Sequence, residues 1–163
     1  MRQTTKDILQ QTEKHLESIS NQLMDELTKI IAGDWGLSKS ATNDQVRQLD
    51  IEVFMDGYRL ALYPMDSSST QLGYKSLLKE AYSNGLLYED ALNPDLSLYD
   101  FAKNEDIQDL DEFDKAQREI FLKWFLNCWN KTPNTTLTIP VYLVFHDADG
   151  ALDLQSNKWV KNR

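Results

Sequence analysis

Cys128 is the only cysteine in the sequence, which excludes an intramolecular disulfide and a cysteine-built zinc site. Glycine and proline are scarce, at six and four residues, too few for a fibrous or disordered chain. No apolar run approaches the roughly 18 residues that a membrane span needs. Residues Met1 to Asp7 are polar, unlike a secretion signal. A cytoplasmic location is therefore expected. Only two histidines occur, His15 and His146. His15 has Ile19 four positions on, where a helical metal site would place its second ligand, and reads as a surface residue. The sequence has no glycine-rich phosphate loop and no cofactor fingerprint, and no cofactor is expected.

Positive charge is almost missing from one window. Between Glu89 and Asp114 there are ten acidic residues and one basic residue, Lys103, so this stretch carries the whole net charge of −9. The remaining residues hold sixteen charges of each sign and are neutral. Such a field repels phosphate backbones and anionic lipid, so neither nucleic acid nor a membrane surface is expected as a partner. A basic protein is favoured instead. The expected contact residues are Glu105, Asp106, Asp109, Asp111, Glu112 and Asp114. The plainer reading of the same letters is a solvated connector kept acidic for solubility.

What is present is enough for a core. With 163 residues, 41% of them hydrophobic and 26% charged, the chain reads as one domain over residues 1–163. Its most apolar helical pattern runs from Asp111 to Trp129. Phe113, Ala116, Gln117, Ile120, Phe121, Trp124, Phe125, Cys128 and Trp129 recur at threes and fours, and only one of the nine is polar. Asp111 or Asp114 is expected to cap this helix, and Lys131-Thr132-Pro133 to stop it. Leu122 and Leu126 fall beside the stripe, leaving a flank that a second copy of the chain can cover.

Other elements are expected around that helix. Thr4 to Ile31 has the spacing of one long amphipathic helix, closed by Gly33. Leu49–Met55 and Tyr58–Tyr63 alternate about Asp56-Gly57, a hairpin that pairs Met55 with Tyr58, Val53 with Leu60 and Ile51 with Leu62, ended by Pro64. Asp66 to Thr70 reads as a polar turn capping a helix over Thr70–Ser83. Leu86 to Asp109 reads as a long irregular loop. Leu137 to His146 is strongly β-forming, with Pro140 delaying its start or placing it on an edge, and Asp147 to Gly150 turns it into Ala151–Leu154. Asn157 to Val160 adds a last extended piece. The expected fold is α+β, a mainly antiparallel sheet of about four strands in two hairpins, packed by a long N-terminal helix and a central aromatic-rich helix.

Two chemistries are weighed. His146, Asp147, Asp149 and Asp153 put four potential metal ligands within eight residues at a strand end, the basis for a metal-assisted hydrolase. The stretch lacks the glycine and terminal glutamate of a calcium loop, and an Asp-Gly turn explains it without a metal. Cys128 lies on an aromatic stripe, where desolvation disfavours the thiolate that a nucleophile requires. The favoured reading is a non-enzymatic acidic protein that engages a basic protein, in the manner of an immunity protein or antitoxin covering a cationic toxin.

Overall fold

Period-two alternation sets the first hairpin. In the computed structural model, which describes residues 3–54, 59–78, 107–146 and 148–161, strand β1 (Gln48–Phe54) pairs antiparallel with β2 (Arg59–Met65). Val53 faces Leu60 and Ile51 faces Leu62, the register a two-residue turn imposes. The turn and the Met55–Tyr58 pair lie outside the described residues. Pro64 does not end the second strand, which runs on to Met65. Opposite it, Leu49 sends its amide the other way, to the Pro140 carbonyl at 3.0 Å. The Leu49–Pro64 pair thus needs no hydrogen bond across the ladder, and proline's missing donor costs nothing there.

The helix expected over Thr70–Ser83 is replaced, as far as Leu78, by a turn and a strand; residues 79–83 lie outside the described part. Asp66 Oδ1 accepts the amides of Ser68 and Thr70 at 2.8 and 2.9 Å, and Gln71 bridges back to Met65. Gly73 then lies so close to the segment after the N-terminal helices that a Cβ on it would sit 2.4 Å from the Gly36 carbonyl oxygen. Tyr74 N–H donates to that same carbonyl at 3.0 Å. From this clamp the chain leaves as β3 (Lys75–Leu77) along β2. Long-range pairing outweighs the local helical spacing.

The second hairpin comprises β4 (Val141–Phe145) and β5 (Ala151–Asp153), extended by β6 (Lys158–Val160). Pro140 delays β4 to Val141, as expected, but the strand is central. The sheet has six strands in the order β3-β2-β1-β4-β5-β6, not about four, and it is mixed, because β1 and β4 run parallel. The α+β class holds. A parallel pair needs a long crossover, and the chain between β3 and β4 includes helix α3 (Ile107–Asn130).

The N-terminal helix is two helices, α1 (Gln3–Ser18) and α2 (Ser20–Ile31), broken at Ile19. Serine hydroxyls on both sides of the break bond back to the preceding turn, Ser18 Oγ to the His15 carbonyl at 2.6 Å and Ser20 Oγ to that of Leu16 at 3.2 Å, which loosens a helix locally. Helix α2 closes in a Schellman motif: Gly33 has φ +97, its amide donates to Ile30 O, and that of Asp34 to Lys29 O, each at 3.0 Å. Both helices pack on α3. Leu16, Leu23, Leu27 and Ile30 meet Phe121, Trp124, Phe125 and Trp129 over one sheet face, built of Leu49, Ile51, Val53, Leu60, Leu62, Val141, Leu143 and Leu152. Among the described residues no helix is long and apolar enough to cross a membrane.

Candidate functional site

Helix α3 begins at Ile107, four residues before the expected Asp111, because the apolar spacing of Phe113 extends upstream through Leu110 and Ile107. Asp111 and Asp114 therefore cap nothing and lie on exposed helical turns. Glu105 and Asp106 lie outside the described residues, Asp109 falls in the first turn of α3, and Glu112 is exposed on the neighbouring arc. On the described part of the helix, Asp111, Asp114, Arg118 and Leu122 follow one another at three and four and form one stripe.

That stripe forms one wall of a groove of about 480 Å³. Its apolar lining is Leu122, Phe145, Ala148 and Trp159, and its charged lining is Asp111, Asp114, Lys115, Arg118 and Glu119. Along the helix its charges run from two carboxylates, Asp111 and Asp114, through two cations, Lys115 and Arg118, to a third carboxylate, Glu119. Arg118 sits over the Phe145 ring at 5.9 Å, and Trp159 stacks on that ring at 6.3 Å between centroids. Trp159 remains 55% exposed. Burial pushes the Asp114 carboxyl up; Arg118 opposes this and Asp111 adds to it. Asp114 is therefore a partly desolvated carboxylate that its own helix does not fully compensate.

The second constellation does not assemble as a metal site. His146 pairs with Glu52 on β1, Nδ1 to Oε1 at 2.5 Å, with its ring 4.7 Å from that of Phe54, and shares a groove with Asp149 but not with Asp153. Asp153 serves a turn, Oδ1 accepting the amides of Gln155 and Ser156 and Oδ2 the Ser156 hydroxyl at 2.8 Å. Burial raises its pKa, but these bonds outweigh burial and hold the carboxyl below its ordinary value. Asp147 lies outside the described residues. Among those described, no group of three or more His, Cys, Asp or Glu side chains comes close enough to hold a metal ion. Cys128 is buried, and its thiol is pushed up by burial despite the Ser20 hydrogen bond and Lys131.

Charge alone locates Asp111 and Asp114 in the sequence, but it misses Trp159, Phe145 and Arg118 as a unit. The available signal was the β6 alternation, which sets Trp159 apart from Lys158 and Val160. Leu122 and Leu126, read together as one flank, are both half-buried against the core and line different grooves, Leu122 this one and Leu126 another between α1 and α3. Comparison with known proteins gives no match to a family model, a characterised protein or a solved structure.

Proposed function

We propose that this chain is a non-enzymatic acidic binding protein, acting in the cytoplasm, that engages a basic protein through the acidic turns of α3 and the groove beside them. The observation that carries this reading is the placement of Asp111 and Asp114 on the rim of a groove whose apolar side ends in an exposed tryptophan. Charge steers a cationic surface to this wall, and the apolar lining gives the contact its strength. The narrower form is an immunity protein or antitoxin covering a cationic toxin, whose basic site for a nucleic-acid backbone is the surface such a field complements.

The test uses immobilised protein and native lysate at about 50 and about 300 mM salt, where screening differs substantially. Wild type retains basic proteins at the lower salt and releases them at the higher. The Asp111→Lys, Glu112→Lys, Asp114→Lys triple variant, checked to melt normally, retains none. Retention unchanged in that variant refutes the proposal.

A further inference from the structure

The four tryptophans divide three to one. Trp35 Nε1 donates to the Ile30 carbonyl at 2.8 Å, Trp124 Nε1 to Ser20 Oγ at 2.9 Å, and Trp129 Nε1 to the Leu154 carbonyl at 3.2 Å. Each of these indoles ties one segment to another. The Trp159 indole N–H makes no such bond among the described residues, and its ring lies on Phe145 with over half of the residue still exposed. A large amphipathic ring held flat and left uncovered is the side chain most enriched at the centres of protein interfaces.

Resting on the reading above, we infer that Trp159 anchors the partner: an arginine of the basic protein lies on the exposed indole and turns its guanidinium to Asp111 and Asp114 across the groove. Arginine fits better than lysine. A planar guanidinium stacks on an aromatic face while still donating in its own plane to a carboxylate, which a compact ammonium does less well. The groove already holds one guanidinium over an aromatic ring, Arg118 over Phe145. A second cation also relieves Asp114, which burial and Asp111 leave short of compensation. A second copy of this chain is a poor occupant, since each copy carries −9.

The probe is an acetylated, amidated Gly-Arg-Leu-Arg-Gly peptide, with lysine and citrulline replacing arginine in two controls, read by indole N–H resonances. Trp159→Phe deletes one of the four signals and so assigns it. The inference requires the Trp159 signal to move on titration while the other three stay, with the lysine peptide weaker and the citrulline peptide silent. Trp159→Ala, on an exposed site, keeps its melting temperature and weakens binding about fivefold, while Trp159→Phe retains most of it. Undiminished binding by Trp159→Ala overturns the anchor. If binding then still falls in Asp111→Asn, Asp114→Asn, the acidic surface stands without it; if neither variant matters, both readings fall. A wild-type dimer by light scattering that Trp159→Ala converts to monomer makes the occupant a second copy and also overturns the inference.

Discussion

The two halves of α3 are made from one continuous helix and are used in opposite ways. From Phe121 to Trp129 every inward position is an aromatic or a thiol, and Phe121, Trp124, Phe125, Cys128 and Trp129 are all buried. From Asp111 to Arg118 only Phe113 and Gln117 are buried, and the other arc holds charges of both signs. The later half is gripped by α1 and α2 and holds the fold together. The earlier half borders a groove. The difference teaches that one helix can supply stability and recognition separately when its apolar stripe narrows along its length.

Six substitutions break or sharpen that contrast and the environments assigned alongside it. The largest effect belongs to Trp124→Ala, which empties a buried site and removes the indole donor to the Ser20 hydroxyl; we expect a loss of about 3 to 5 kcal/mol in chemical denaturation. A variant that melts normally ends the claim that the later half holds the core. Next come Leu122→Ser and Leu126→Ser, each half-buried, with about 1 to 2 kcal/mol lost apiece. They separate in function, because only Leu122 lines the groove with Asp111, and only its variant weakens binding of basic proteins. Equal binding by the two would blur the boundary drawn here. Ser20→Ala is smaller, about 1 kcal/mol, since it removes the acceptor of the Trp124 indole at the helix break. Restoring one straight helix without loss of stability would show the break to be incidental.

The smallest effect is that of Asp114→Asn, within about 0.5 kcal/mol at neutral pH and of stabilising sign. A carboxyl raised in the folded state contributes stability below the ordinary carboxyl range and loses it as pH rises through the raised value. Removing that charge should therefore flatten this loss as pH rises through and above the ordinary carboxyl range. Asp153 has the opposite sign: its lowered carboxyl contributes above the ordinary range and loses that contribution as pH falls, so Asp153→Asn costs stability at neutral pH and little in acid. Denaturation curves across this range that show one sign for both variants would contradict the assigned environments.

What is legible in the sequence is what is decided locally. The β1–β2 register follows from alternation and a two-residue turn together, so Ile51–Leu62 and Val53–Leu60 pair on sequence grounds alone. The stripe from Phe113 to Trp129 is equally plain. The break at Ile19 is not, because its partner is Trp124, over a hundred positions away. β3 is hidden for the same reason, since its path is set by two glycine backbones meeting at Gly36 and Gly73. At the site, charge alone points to Asp111 and Asp114, whereas the Trp159–Phe145–Arg118 stack joins three elements and leaves no mark in any one of them. His146 stands out in the sequence, but its partner Glu52, on the neighbouring parallel strand, does not.

Along the parallel seam, Leu49 lies beside Val141, about ninety positions further on, while the other strand pairs each join consecutive strands. On the ribosome the first hairpin is complete long before β4 has been made. At about 5 to 20 residues per second, synthesis of the chain between β2 and β4 takes roughly 4 to 15 seconds. Throughout that interval the inner edge of β1 has open hydrogen-bonding groups flanked by Leu49, Ile51 and Val53, the type of edge that recruits foreign strands. The nascent protein is thus most vulnerable to misassociation at the strand that ends up most central.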